Sequence, residues 1–313
     1  MSDLTLRPRP MFLRRLGWAS AAVVALLVNP AQAATPLPVT ASFSILGDLV
    51  RVVGGERVAV TTLVGPNEDA HAFEARPADA KTVLSSQLVV TNGLGFEPWA
   101  KKLIQSAGYK GNTVVASQGV TARQMAEEKG HTDHAHAEQD PHAWQNPNNV
   151  VLYVRNIAAG LAKADPAGAA VYQANAQAYV SELQALDRWA KEQIATIPAA
   201  KRKVITSHDA FGYFAAHYGV QFLAPQGVNT EAEPSAKQVA RLIQQIKREK
   251  IRAVFVENMS NPKLVAQLSK DAGATVGASL YSDALSAPDQ PGATYLTMMR
   301  YNVTELVAGM KLN

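Results

Sequence analysis

The architecture of this 313-residue chain depends on one segment, DPAGAAVYQANAQAYVSELQALDRWAKEQIATIP, at residues 165–198. Asp165 and Pro166 suit the N-cap and first turn of a helix, and after Gly168 no glycine or proline occurs before Pro198. Apolar residues recur at helical spacing: Tyr172, Ala176, Tyr179, Leu183, Leu186, Ala190 and Ile194. Two shorter helices in a hairpin would need a turn signal near the middle, which is missing. The segment therefore predicts one long helix, which at about thirty residues would span on the order of 45 Å.

On each side of this helix, short β-branched runs alternate with amphipathic stretches, a pattern typical of a parallel sheet covered by helices. Before it, strands are predicted at Val39–Phe43, Val58–Val64, Leu88–Thr91 and Thr113–Ala116, with helices at Ile45–Val53, Pro77–Ser85 and Pro98–Ser106. After it, strands are predicted at Lys203–Thr206, Val220–Leu223, Ala253–Val256 and Thr275–Leu280, with helices at Ala210–Tyr218, Ser235–Lys250, Asn261–Ala272 and Tyr295–Met310. The predicted fold class is α/β, with two lobes, each a mainly parallel sheet flanked by helices, joined by one long helix.

The first 33 residues have the layout of a secretory signal peptide. Four arginines precede an uncharged stretch from Leu16 to Val28, and Ala31-Gln32-Ala33 follows as a cleavage signal. The uncharged stretch is shorter than the roughly 20 residues of a spanning helix. The chain contains no cysteine, so neither a disulfide framework nor an acylated cysteine anchor is expected. We expect a soluble protein exported to the bacterial periplasm, with its signal peptide cleaved near Ala33.

These signals divide the chain into four parts: a signal peptide at 1–33, an N-terminal α/β lobe at 34–164 with a histidine-rich loop at 128–140, a linker helix at 165–197, and a C-terminal α/β lobe at 198–313. The signal peptide carries four arginines and one aspartate, so the remaining chain is close to neutral despite a sequence pI of about 9.2. No basic cluster with interleaved aromatic residues is present, which argues against a nucleic-acid partner.

Four of the seven histidines lie between His131 and His142, in the sequence HTDHAHAEQDPH. Imidazoles and carboxylates with so few apolar neighbours are typical of a metal-handling surface. His142 differs from the others, because Pro141 stiffens its approach and a helix is predicted to begin near Pro147. We expect His131, His134 and His136 to form a flexible acceptor that binds metal weakly, the alternative being a solvated loop without such a role.

Three further candidate ligands follow predicted strands, where open α/β sheets build their sites. They are His71 in GPNEDAHAFE, His208 after the strand that ends at Thr206, and Asp283 in YSDAL. Taken singly, each has an ordinary alternative: a solvated loop histidine, a polar residue at a helix start and a turn aspartate. With His142 they make four candidates, two from each lobe, as a site in an interlobe cleft requires. His217 lies inside a predicted helix, where a structural role is expected.

With these residues the chain resembles the zinc- and manganese-binding solute receptors of ABC importers, the cluster A-I family. The resemblance covers essentially the whole mature sequence and includes NGLGFEPW at residues 92–99 and the long helix. It implies that His71, His142, His208 and Asp283 bind the metal and that the protein is a receptor, not an enzyme. It further implies a permease with its ATPase as partners, and it is compatible with a metal-delivering periplasmic protein. We expect a monomer.

The ligand types favour Zn(II), because three neutral imidazoles and one carboxylate suit its tetrahedral coordination. Mn(II) is the alternative, and it is less favoured because manganese prefers more oxygen ligands than this set provides. A zinc hydrolase is disfavoured: the aspartate of HTDHAH precedes the paired histidines, and a four-ligand site leaves no open position for water. A metal-dependent adhesin with the same fold stays open on the sequence.

Overall fold

The first lobe is built on a sheet of four parallel strands in the order β2-β1-β3-β4. The computed structural model describes residues 35–124 and 139–313. The strands are β1 (Leu37–Phe43), β2 (Val58–Val64), β3 (Leu88–Thr91) and β4 (Asn112–Val115), and the helices between them are α1 (Ser44–Gly54), α2 (Pro77–Ser85) and α3 (Pro98–Ser106). Most of β1 is buried, as expected of a central strand with helices on both faces. The strands and helices predicted for this lobe are confirmed to within about two residues.

The predicted long helix is confirmed as α5 (Ala169–Ala195), a single helix of 27 residues. It is preceded by a short 3-10 turn at Pro166–Gly168, where Asp165 accepts hydrogen bonds from the Arg57 guanidinium at 2.9 and 2.7 Å. Helix α4 (Pro147–Ala164) packs along it. Asn146 caps α4 by accepting a hydrogen bond from the Asn148 amide at 3.0 Å, which satisfies one of the free donors at that helix end.

The second lobe has a less regular sheet. Its elements are β5 (Lys203–Ile205), α6 (Gly212–Tyr218), β6 (Gln221–Leu223), α7 (Ala236–Glu249), α8 (Pro262–Ala272) and α9 (Tyr295–Met310). Strands β5 and β6 pair in parallel, and isolated parallel bridges join Ile205 to Val254 and Val254 to Val276. The strands predicted at 253–256 and 275–280 are therefore wrong as continuous strands. The residues of 275–280 alternate between exposed and half-buried as far as Ser279, so little apolar burial supports a longer ladder at this edge.

The largest apolar core extends through both lobes. It combines β1, α1 and α4 of the first lobe with α6 and α9 of the second, and the buried face of α5 lies among them. Tyr172, near the start of α5, and Ile194, near its end, both belong to this core. The helix therefore shares its packing with both halves of the molecule.

Among the described residues, none of the helices combines the length and apolar character needed to cross a membrane. The predicted signal peptide, and His131, His134 and His136 of the histidine-rich loop, lie outside the described residues.

Candidate metal centre

The structure brings His71, His142, His208 and Asp283 together. One ligand atom from each lies within 4.8 Å of every other, and all four residues are buried. His71 lies in the loop after β2 and His142 just before α4, whereas His208 follows β5 and Asp283 lies in a loop of the second lobe. Within residues 35–124 and 139–313, no other group of three or more such side chains has this arrangement.

The ligand atoms form a small polyhedron. The Nε2 atom of His142 lies 3.3 Å from that of His71 and 3.4 Å from that of His208. The Asp283 carboxylate lies 3.3, 3.6 and 3.1 Å from the Nε2 atoms of His71, His142 and His208. A tetrahedral Zn²⁺ site with bonds of about 2.0–2.1 Å has ligand-to-ligand edges of roughly 3.3–3.4 Å. The five separations lie near this range, although they involve both oxygens of Asp283, and all ligand atoms lie within 4.8 Å of one another, so the cluster has the size needed to hold a divalent cation.

Asp283 supplies a second indication. Both of its carboxylate oxygens are buried, and neither accepts a hydrogen bond from any described group. Buried carboxylates in proteins are almost always hydrogen-bonded, paired or bound to metal. The three Nε2 atoms are the groups that face these oxygens, so Asp283 is balanced either by protonated histidines or by a cation bound among them.

Each of two histidines is oriented from behind by a buried carboxylate. Asp140 Oδ1 lies 2.9 Å from His142 Nδ1 and accepts the backbone N–H of His142 at 3.0 Å. Glu257 Oε2 lies 2.5 Å from His208 Nδ1. A carboxylate at Nδ1 holds the ring proton there and directs the lone pair of Nε2 to the metal.

Arg123 balances the charge of Asp140. Its Nη1 donates to Asp140 Oδ2 at 3.1 Å, on the side away from His142. Gly212 leaves the room for this ion pair, since a Cβ there would overlap both side chains. Arg123 also donates its backbone N–H to the Tyr213 hydroxyl at 3.0 Å, so the pair is held against α6.

His71 is held by its own loop. Its backbone N–H donates to Asp69 Oδ1 at 2.9 Å, and its ring meets Phe96 edge-on with centroids 4.6 Å apart. The second carboxylate oxygen of Asp69 accepts the Thr230 hydroxyl at 2.7 Å. Because Thr230 belongs to the second lobe, this bond ties the His71 loop across the site.

Interactions between the histidines and the nearby carboxylates determine which groups of the site are protonated. Burial lowers the pKa of His142, but the charge of Asp283 and the bond to Asp140 outweigh it and raise that pKa to about 9. The pKa of His208 is raised well above its usual value, because the charges of Glu257 and Asp283 outweigh its burial. Burial raises the pKa of Asp283, yet the charges of His142 and His208 hold it well below the ordinary range. At neutral pH the metal-free cluster therefore holds protons that a metal ion must displace.

A cavity reaches the centre from one side. It is about 270 Å³ in volume and is lined by His71, Leu94, Gly95, Gln139, Pro141, Val228 and Asn229. Of the four clustered residues only His71 belongs to this lining, and His142, His208 and Asp283 are fully buried. An ion entering here would meet His71 first.

Sequence reasoning missed the supporting carboxylates. Glu257 directly follows the predicted strand 253–256, so the rule that found His208 could have found it too. Asp140 entered the sequence analysis only as the neighbour of Pro141 and His142. His217 does not join the cluster: its Nε2 lies 2.6 Å from Asp187 Oδ1 on α5, as the expected structural role requires.

Two α/β lobes joined by a long helix, with a buried cluster of three histidines and one aspartate contributed by both, define a class of extracytoplasmic metal receptors. Residues 39–309 match the family described as "Zinc-uptake complex component A periplasmic", and the chain belongs to this family. The protein is therefore a metal-binding substrate-binding component of an ABC importer, and the family consists of receptors, not enzymes. The hydrolase alternative is thereby excluded.

Named relatives bind different metals. The chain is 34% identical over 274 residues to the manganese-binding lipoprotein MntA of Halalkalibacterium halodurans, covering 88% of each chain. It is 32% identical over 281 residues to the iron-binding protein YfeA of Yersinia pestis, covering 90% of this chain and 88% of that one. The solved structure of the periplasmic zinc-binding protein TroA from Treponema pallidum matches with a TM-score of 0.82 at 26% identity, covering 88% of this chain and 99% of that one. Family membership thus establishes a metal cargo without selecting the metal.

Proposed function

We propose that the protein captures Zn(II) with His71, His142, His208 and Asp283 and delivers it to an ABC permease driven by its ATPase. The observation that carries this proposal is the buried cluster of three imidazole nitrogens and one carboxylate, in which five of the separations between these groups are 3.1 to 3.6 Å. Three nitrogen ligands and one oxygen ligand match the preference of zinc. A metal bridging both lobes stabilises the loaded arrangement, which a permease can distinguish from the empty receptor.

Metal analysis followed by competition tests the choice of metal. Protein purified without chelator is analysed for bound metals, stripped, and then titrated with Zn²⁺ and Mn²⁺ against a chelator of known affinity. We expect one equivalent of tightly bound zinc and a clear preference for zinc over manganese. Tighter binding of Mn²⁺ under the same conditions would contradict the proposal.

Manganese is the second candidate, because MntA carries that metal in its name. Mn²⁺ prefers oxygen-rich, octahedral sites. Asp283 could bind with both of its oxygens, since neither accepts another hydrogen bond from the described residues. If manganese is the cargo, spectroscopy of the metal-loaded protein is therefore expected to give a coordination number above four.

We also propose that the mature protein is free in the periplasm. Several relatives are named as lipoproteins, but this chain has no cysteine to acylate. Mass spectrometry of the protein from a periplasmic extract is expected to find an unmodified chain beginning near Ala34. A lipid-modified N-terminus would overturn this part of the proposal.

The histidine-rich segment is proposed to hold metal weakly through His131, His134 and His136. The described residues on its two sides are paired, since Gln124 and Gln139 form an antiparallel bridge and Asp140 N donates to Arg123 O at 3.0 Å. Deletion of residues 130–138 is therefore expected to leave the tight site intact while removing extra bound metal or slowing loading. Loss of the tight site on deletion would show that the segment belongs to it.

Faster loading from a second periplasmic metal carrier than from free metal would support a delivery partner.

A further inference from the structure

Glu257 lies behind the metal cluster and contacts both ligand-bearing segments of the second lobe. It is 1% exposed. Its Oε1 accepts the backbone N–H groups of Ser207 at 2.8 Å and His208 at 3.0 Å. Its Oε2 accepts the hydroxyl of Ser282 at 2.6 Å and lies 2.5 Å from His208 Nδ1. One side chain therefore joins the loop of His208 to the residue next to Asp283.

These contacts hold Glu257 and the ring before it in one orientation. Two backbone amides donate to Oε1 and the Ser282 hydroxyl donates to Oε2, so the side chain is fixed on both of its oxygens. Facing that carboxylate, the Nδ1 atom of His208 carries its proton, so the Nε2 lone pair points to the other ligands.

Within residues 35–124 and 139–313, the charge of Glu257 has no lysine or arginine beside it as a counter-ion. Asp140, the equivalent carboxylate behind His142, is paired with Arg123 at 3.1 Å. Among the described residues, by contrast, no lysine or arginine forms an ion pair with Glu257. With neutral imidazoles, Glu257 and Asp283 together present two uncompensated negative charges, which equal the charge of one divalent cation. Buried charges of this kind are stable only when a partner balances them.

We propose that Glu257 is a positioning residue for the cargo ion: it sets the orientation of His208 and the place of the Asp283 loop, and it provides half of the ion's counter-charge. This inference rests on the proposed ligand set. Substitution of Glu257 is expected to act on metal coordination itself and not only on the stability of the fold.

Glu257→Gln tests the proposal, and Glu97→Gln is its matched control. An amide at 257 can satisfy either the two backbone N–H groups or the His208 side, but not both. Glu97 is likewise buried and accepts two backbone N–H groups and a serine hydroxyl, from Asn92, Gly93 and Ser42, without contacting a ligand. Both variants therefore lose a buried carboxylate with similar bonds, and only one loses contact with a clustered histidine.

Two measurements are made on each folded variant: Zn²⁺ affinity by chelator competition, and the visible absorption spectrum of the Co²⁺-loaded protein. We expect Glu257→Gln to bind zinc about 10- to 100-fold more weakly and to change the cobalt spectrum, whereas Glu97→Gln keeps the wild-type spectrum and affinity. Wild-type affinity and spectrum in Glu257→Gln, or equal losses in both variants, would overturn the inference.

A milder variant keeps the test decisive if Glu257→Gln does not fold. Ser282→Ala removes only the hydroxyl that links Glu257 to the Asp283 loop, and a few-fold loss of zinc affinity is expected; no loss would overturn the link. Failure of the unmodified protein to bind zinc would instead refute the proposed function, so the two failures are distinguishable.

Discussion

The two halves of the metal centre are built differently. In the first-lobe half, the carboxylate behind His142 has its own cation, because Arg123 pairs with Asp140. In the second-lobe half, the described part of the chain offers Glu257 no lysine or arginine partner and Asp283 no well-aligned hydrogen-bond donor. The first half is thus balanced before an ion arrives, whereas the second half is completed by protons or by the cargo. We therefore expect substitutions in the second-lobe half to weaken metal binding more than substitutions behind His142.

The largest effect is expected from His208→Ala. It removes a ligand and leaves Glu257 facing an empty space, so zinc affinity is expected to fall by about a thousandfold, or roughly 4 kcal/mol. Competition titration measures the loss. His217→Ala is the control, since His217 lies in the same lobe but bonds to Asp187 on α5. Unchanged affinity in His208→Ala would remove that residue from the ligand set.

A large effect of pH is expected next. With the pKa of His142 at about 9 and that of His208 also raised, zinc displaces about two protons at pH 7. Affinity then falls by up to about 100-fold for each unit of decreasing pH. Calorimetric titrations in buffers of different ionisation enthalpy count the protons directly. Zinc binding without proton release, together with a flat pH profile, would contradict the coupling described for the site.

The raised pKa values of His142 and His208 also make the stability of the metal-free protein depend on pH, and this stability falls as the pH rises. A raised folded pKa stabilises the protein while the histidine is protonated in both states, below the unfolded value of about 6.5. This stability is lost as the pH rises through about 9. The melting temperature of the metal-free protein is therefore expected to fall between pH 6.5 and 9, with a smaller fall when zinc is bound. A melting temperature that rises over this range would refute the charge balance.

A smaller effect is expected from Asp140→Asn. The carbonyl of the new amide can still accept from both the backbone and the ring of His142, because Oδ1 serves both in the native protein. Zinc affinity is expected to fall by only about tenfold, partly because Arg123 loses its counter-charge. Adding Arg123→Gln removes that unpaired cation and is expected to recover part of the loss. A double variant that binds more weakly than Asp140→Asn would show that the pair acts otherwise.

The smallest effect is expected in overall shape. Helix α5 packs into a core shared by both lobes, which limits hinge opening, so loop rearrangement and modest lobe movement are expected on binding. Scattering profiles with and without zinc are expected to be nearly the same. A large contraction on loading would contradict this restriction.

Sequence patterns predicted the first lobe and the long helix well, because their apolar periodicity reflects burial on a regular sheet and along one helix face. The strand predictions at 253–256 and 275–280 were wrong, because strand pairing there is limited to isolated bridges. Isolated bridges do not produce a periodic pattern that distinguishes them from a continuous strand. His71, His208 and Asp283 could be found from their places after predicted strands, His142 from the Pro141 that precedes it, and all four from the family resemblance. Glu257 could have been found as a candidate by the same rule, but its contact with His208 could not, and neither could the roles of Arg123 and Thr230, since each depends on contacts between segments distant in the chain.

The hydrophobic core that surrounds α5 also affects whether a fragment containing one lobe could fold by itself. Although the sheets are separate, helices α1, α4, α6 and α9 bury apolar side chains in one cluster. Each lobe therefore depends on the other for part of its hydrophobic core. A fragment ending before α5 would expose that surface to water, at about 25 cal/mol for each Å² of apolar area. We therefore expect the two lobes to unfold in one cooperative transition, although their sheets are separate.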